Sequence, residues 1–276
     1  MKLFGLTGYP LGHSLSPVIH RELFKLSGID GEYKLYEIAP ENLETELESH
    51  KKNLCGFNVT IPHKVEVIPF LDELNEKAAL FGAVNTVKVG EKTVGYNTDC
   101  IGFLRALELA DIELAGNVLV CGSGGVARMF AFEAVLAGCE LTIATRDEDI
   151  PVANRIKDEI SNKLKKDAKV INLRDVCESY DLIINGTPVG MHPNVNACVL
   201  PKEVIKKAKA VFDAIYNPEE TLFIKHAKEA GIKYSNGLSM LVLQAVAAEE
   251  IWNGVAFAAE DIKKVIEITK TELEKQ

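Results

Sequence analysis

The sequence predicts an α/β protein built on parallel sheets and divided into two domains. Short apolar runs of strand length alternate with longer helical patterns along most of the chain. Near the middle, the run VLVCGSGG reads as a strand ending in a glycine turn that opens a helix. At 276 residues the chain exceeds a small module and falls short of three domains.

The elements follow in order. KLFGLTG is a strand. Ser16 is read as the cap of a helix to Leu26, with Pro17 at its first position and Val18, Ile19, Leu23, Phe24 and Leu26 on one face. Strand YKLYEI, a helix over 40–51, strand CGFNV and helical material over about 62–81 come next. AVNTVKVGEKTVGYN reads as a hairpin turning at Gly90-Glu91, and Asn97 or Thr98 caps a helix through Leu109.

From Asn117 the pattern is a βαβ series: the VLVC strand, a helix from Val126 to Gly138, strand LTIAT, a helix over 152–165, then strands KVINL, DLIING and AVFDAIY. After GIKYSNG two helical segments, around 238–251 and 259–274, close the chain. The expected division is one domain over 1–100 together with 238–276, and a dinucleotide-binding domain over 101–237. A cleft between the two is the expected place for a small-molecule site.

Charge limits the partners. Lys plus Arg number 31 against 40 Asp plus Glu, a net charge of −9. That argues against nucleic acid and against anionic membranes, and an anionic ligand must be held by locally placed donors. Six scattered cysteines (Cys55, Cys100, Cys121, Cys139, Cys177, Cys198) make no C-x-x-C pair and read as reduced thiols. The six histidines form no ligand spacing, so no metal is expected. MKLFGLTGYP meets Gly and Pro too early for a signal peptide, and no run approaches membrane-span length. A cytoplasmic protein is expected, monomer or homodimer.

Gly122-Ser123-Gly124-Gly125-Val126-Ala127 fits G-x-G-x-x-A between strand and helix. The first glycine permits a tight turn and the second lets backbone N–H groups approach a pyrophosphate. The helix N-terminus adds partial positive charge. The end of the next strand selects the cofactor. Thr145 carries no charge where NAD sites place an acid, and Arg146 can pair with a 2′-phosphate. Asp147, Glu148 and Asp149 would oppose that phosphate if they faced it. NADP is the expected cofactor, with NAD as the alternative.

Four polar segments stand at predicted strand ends and helix starts: HSLSP (His13 to Pro17), NVTIPHK (Asn58 to Lys64), AVNT (Ala83 to Thr86) and NTD (Asn97 to Asp99). Helix caps explain Ser16 and Asn97 equally well, and Asp99 suits a first turn. Lys64 differs: after Pro62, it would stand in a first helical turn, the wrong end of the dipole for a cation. That marks it as a candidate for proton transfer.

With these segments the chain resembles the shikimate dehydrogenase family over nearly its whole length. The ordered motifs are GYPLGHSLSP, NVTIPHK, GAVNT, NTDCIG, GSGGVAR, NGTPVGM, DAIYNPEET and NGLSMLVLQA. The resemblance implies an N-terminal α/β substrate domain, a Rossmann-like NADP-binding domain, and reversible reduction of 3-dehydroshikimate to shikimate with NADPH. It places Lys64 and Asp99 as the catalytic pair. Ser14 and Ser16 would hold the substrate carboxylate, and Asn58, Thr60, Asn85, Tyr216 and Gln244 the ring substituents. Gly122, Ser123, Gly124, Gly125 and Val126 would cradle the pyrophosphate, with Thr145 and Arg146 at the adenosine ribose. Thr187, Met191, Gly237 and Met240 would line the nicotinamide side. Two departures stand out. Thr145-Arg146-Asp147 replaces Asn-Arg-Thr, which keeps a quinate/shikimate dehydrogenase preferring NAD as the alternative. Gly186 replaces a common Ala, which is expected to loosen its turn. A dinucleotide sensor without catalysis is the reading from another class.

Overall fold

The computed structural model describes residues 1–12 and 14–275; His13 of the HSLSP segment and Gln276 lie outside the described residues. The first part of the chain runs β1 (Lys2–Gly8), α1 (Ser16–Ser27), β2 (Gly31–Glu37), α2 (Leu43–Asn53), β3 (Gly56–Val59), β4 (Glu73–Leu74), α3 (Glu76–Phe81), β5 (Thr86–Lys88), β6 (Val94–Tyr96) and α4 (Thr98–Leu109). Then come β7 (Asn117–Cys121), α5 (Gly125–Leu136), β8 (Glu140–Thr145), α6 (Ile150–Leu164), β9 (Ala168–Asn172), β10 (Leu182–Asn185), α7 (Lys202–Ile205), β11 (Ala210–Asp213), α8 (Leu222–Glu229), β12 (Lys233–Asn236), α9 (Gly237–Asn253) and α10 (Ala259–Leu273). Two compact units result: Met1–Gly102 with Leu241–Gln276, and Phe103–Met240.

The first unit holds a sheet of order β2-β1-β3-β5-β6-β4. β1 pairs parallel with β2 and β3, and the β5–β6 hairpin runs antiparallel to β3. This sheet is therefore mixed rather than wholly parallel. Its geometry matters for the site: the C-terminal ends of β1, β3 and β6 and the N-terminal end of β5 all fall on one side, because Asn58 stands opposite Thr86 and Thr86 opposite Tyr96. Phe4, Phe24, Tyr33 and Trp252 form part of its core, which brings α9 onto β1. The Trp252 indole N–H donates to the Val87 carbonyl at 2.9 Å, so the ring is buried without an orphaned donor.

The second unit holds a wholly parallel sheet of order β12-β11-β10-β7-β8-β9. Its central strands read as continuous apolar runs because helices cover both faces. The order reverses between β7 and β10, and such a switch point opens a crevice at the carboxyl ends of the two strands. Phe103, Phe130 and Phe212 pack with centroids 4.5–5.6 Å apart on one side of this sheet.

Several expectations are corrected. The segment over 62–81 is no single helix. Residues 61–67 form successive turns, Ile68–Phe70 a 3-10 turn, and only Glu76–Phe81 is α-helical. The bonds there are mostly of the short i→i−3 kind (His63 to Thr60, Ile68 to Val65, Phe70 to Val67), and Pro69 has no N–H to extend an α ladder. Lys64 thus sits in a turn, and the helix-dipole argument for it does not apply. Ser16 is not the cap of α1. Leu15 takes the cap position, and the Ser14 hydroxyl accepts the Ser16 N–H at 3.2 Å. Leu26 is exposed, while Ile19, Leu23 and Phe24 carry the buried face. The short helices α7 and α8 and the strand β12 were missing from the expected series.

Candidate active site

In the first unit, chemistry-bearing side chains gather at the strand ends just described. Lys64 is fixed by its own carbonyl, which accepts the Val84 N–H at 2.8 Å. Its Nζ donates to Asp99 Oδ2 at 2.6 Å. Asp99 stands in the first turn of α4, where a carboxylate suits the helix dipole. Its other oxygen, Oδ1, accepts from Asn85 Nδ2 at 2.9 Å. The side chains of Lys64 and Asp99 are 31% and 21% exposed, so the pair is held by the protein yet open to a ligand.

Asn85 is the hub behind this pair. Its Oδ1 accepts the Thr98 N–H at 2.6 Å, and its Nδ2 also faces Gln244 Oε1 at 3.5 Å. Thr98 Oγ1 donates towards the same Gln244 oxygen at 3.4 Å. Asn97, not Thr98, caps α4, accepting the Cys100 N–H at 3.3 Å. Thr60 hangs at the end of β3, its N–H donating to Thr7 at 2.8 Å. Ser14 lies half-buried on the loop after β1, and Ser16 is the buried first residue of α1.

Asn58 is placed in the same array, but its amide is largely spent inside the protein. Tyr33 Oη donates to Asn58 Oδ1 at 2.7 Å, while Nδ2 donates to Thr86 Oγ1 at 2.9 Å and to the Asn85 carbonyl at 3.2 Å. One carbonyl lone pair remains for a ligand. The sequence reading missed Tyr33, and with it His20, which stacks on the Tyr33 ring at 4.0 Å and pairs with the buried Glu249 at 2.6 Å. No local pattern marks these residues. His20 and Tyr33 lie on the apolar faces of α1 and β2, where an aromatic reads as core.

The second unit carries the glycine turn at its switch point. Gly122 follows β7 with φ 109°, and a Cβ there would stand 2.9 Å from the Thr187 Cγ2 beyond β10. Gly124 is the extended cap of α5, and around Gly124 and Gly125 a Cβ would meet nothing within 4 Å. This open cradle, lined by free N–H groups of the first turn of α5, fits a dinucleotide pyrophosphate. Ser123 and Val126 flank it, half-buried. Thr187 is fixed by Asn185, whose Oδ1 accepts its N–H at 3.0 Å and its hydroxyl at 2.7 Å. Asn185 donates in turn to Asp213 at 3.0 Å. Met191 is exposed; Gly237 and Met240 are buried at the start of α9, and a Cβ on Gly237 would strike the Ala214 carbonyl oxygen at 2.2 Å. Tyr216 lies on the loop after β11 and is exposed.

Gly186 does not loosen its turn. A Cβ there would lie 2.8 Å from the Cβ of Ala127, so the missing side chain lets β10 approach α5. At the end of β8, Thr145 is buried, and the Arg146 guanidinium is paired with Asp149 at 2.7 Å and Glu148 at 3.1 Å. The described residues include no group of three or more metal-ligating side chains, and no helix long and apolar enough to cross a membrane.

Comparison with known proteins agrees with this arrangement. The family model described as the shikimate dehydrogenase substrate binding domain matches residues 6–87. A shikimate dehydrogenase (NADP(+)) of Methanococcus maripaludis is 44% identical over 272 residues, covering 96% of both chains. A chorismate mutase/shikimate 5-dehydrogenase fusion protein from Clostridium acetobutylicum is 38% identical with a TM-score of 0.89, over 100% of this chain and 99% of that one. The shikimate 5-dehydrogenase of Thermus thermophilus, solved in complex with NADP(H) and shikimate, is 32% identical with a TM-score of 0.88, over 98% of this chain and 100% of that one.

Proposed function

The chain belongs to the shikimate dehydrogenase family, and we propose that it reversibly reduces 3-dehydroshikimate to shikimate with NADPH. The observation that carries this reading is the Lys64–Asp99 pair at 2.6 Å, with Asn85 on the second carboxylate oxygen. Bound NADPH supplies the hydride. Hydride arrival at a ketone carbon builds negative charge on its oxygen, and the Lys64 ammonium stabilises that charge and gives up a proton from Nζ. In the oxidation direction the same nitrogen, now neutral, takes the proton back. Asp99 keeps Nζ aimed, and Asn85 keeps Asp99 from rotating.

Ser14 and Ser16 would hold the substrate carboxylate; Thr60, Asn85, Gln244 and the remaining lone pair of Asn58 would bind ring hydroxyls, which both donate and accept. Tyr216 keeps the substrate role implied by the resemblance, as a proposal. The first unit is thus read as the substrate and catalytic domain, the second as the NADP domain. The substrate-binding model matching residues 6–87 and the open cradle at Gly124 support that division. A cytoplasmic enzyme, monomer or homodimer, is part of the same reading; free cysteines such as Cys121 and Cys177 suit a reducing compartment.

The test is absorbance at the reduced-nicotinamide band after mixing the protein with shikimate and NADP. A steady rise proportional to protein concentration is expected. A flat trace, with the dinucleotide nonetheless bound, would leave a sensor that has lost its chemistry.

A further inference from the structure

We propose that Arg174 and Asn172 determine cofactor choice by holding the Asp147 carboxylate on the edge of β9 and neutralising it. An acid just beyond β8 then does not oppose a 2′-phosphate. The inference deepens the NADP reading and rests on it.

Strand register creates the arrangement. β8 and β9 run parallel with Thr145 opposite Asn172, so the two chains leave the sheet side by side. Asn172 Oδ1 accepts the Arg174 N–H at 3.0 Å and caps the turn Leu173–Asp175, which fixes the orientation of its amide. Its Nδ2 then donates to Asp147 Oδ1 at 2.5 Å, and the Arg174 guanidinium donates to Asp147 Oδ2. Both carboxylate oxygens are therefore engaged by donors from β9 and its turn. In an NAD site the acid that accepts from the ribose 2′-hydroxyl stands at the strand end, where this chain has Thr145, and the first acid available to take over that role is Asp147. Asp147 can do so here only by releasing its charge-assisted partners.

The charge balance gives the clamp its effect. Arg146 and Arg174 stand among Asp147, Glu148 and Asp149, and Arg146 is already shared between Glu148 and Asp149. Without Arg174, Asp147 would add an unpaired negative charge beside the place where Arg146 must receive a phosphate, and like charges so placed are costly. Arg174 is thus a positioning residue that acts through Asp147. It lies beyond the glycine-turn and strand-end pattern that distinguishes NAD from NADP sites, in the turn Leu173–Asp175 that follows β9.

Calorimetric titration of the full chain with 2′,5′-ADP and with 5′-AMP tests this without any turnover. Side chains of Arg174 and Asp147 are 68% and 64% exposed, so substitutions there leave the core intact. Arg174→Ala is expected to weaken 2′,5′-ADP about tenfold and to change 5′-AMP by less than about twofold. Adding Asp147→Asn is expected to bring 2′,5′-ADP back to within about threefold of the parent. Unchanged 2′,5′-ADP binding in Arg174→Ala would overturn the inference. So would a double variant as weak as the single one, because Arg174 would then be a direct phosphate ligand. If neither nucleotide binds the parent protein, the NADP reading itself fails, and the inference with it.

Discussion

Lys64 and Asn85 divide the two oxygens of Asp99 between them, so each of the three side chains has its position set by the others. Replacing Lys64 by Ala removes the proton donor while leaving the serines and amides of the array. Turnover should fall by a factor of about 10² to 10⁴, with the KM for shikimate changed far less. Steady-state rates would show it, and an unaltered kcat would take Lys64 out of the mechanism. A second residue, Asp213, makes the stability of the fold depend on pH. Burial pushes its carboxyl up to about 6 from an ordinary 3.8, although Thr221, Ile215 and Asn185 all donate to it. Between those values the native state keeps a proton that the unfolded chain has lost. Its contribution is therefore most favourable below pH about 4 and is lost as pH rises through about 6, a change of about 3 kcal/mol. Urea unfolding free energies of parent and Asp213→Asn should diverge between pH about 4 and about 7 by about that amount, the parent gaining on acidification; parallel shifts would contradict it. Lys64 stands out in its motif and meets Asp99, although it sits in a turn and not in the first turn of a helix. Asn58 was legible as a member of the array but not as one whose amide is mostly spent internally, since its partner Tyr33 is remote in sequence.

Elements with strong periodicity were read well. β1, α1, the β5–β6 hairpin, the β7 to β9 series and the two C-terminal helices lie close to their predicted spans. Those that failed are short or irregular: α7 has four residues and α8 eight, too few for a 3.6-residue period to declare itself. The 61–70 segment has helix-like composition but turn-like bonding. Packing between elements was also beyond the sequence, as Gly186 shows. Gly186→Ala must push β10 from α5 against Ala127, and should cost about 1–3 kcal/mol. A reduced urea midpoint checks this; an unchanged or raised midpoint would favour the loosened turn expected from sequence. On the other sheet, α1 and α9 are tied by His20 and Glu249, both wholly buried. Glu249→Ala strands the His20 and Asn253 donors and should cost about 3–5 kcal/mol, read from the same denaturation experiment.

At the scale of the molecule, one chain carries two sheets, and each gathers a different chemistry at one set of strand ends. The mixed sheet assembles an ammonium, a carboxylate and several hydroxyl and amide groups. The parallel sheet presents a glycine cradle at its switch point. A net charge of −9 gives no general attraction for anionic ligands, so local donors must do that work. The division of labour could be seen in the ordered motifs, whereas the fate of the acids after Arg146 could not, because it depends on a register partner on β9. Steady-state kcat/KM for shikimate and quinate, each with NADP and with NAD, tests the central claim most directly. Shikimate with NADP should give the highest value of the four. A higher value for quinate or for NAD, or no turnover with any pair, would contradict it.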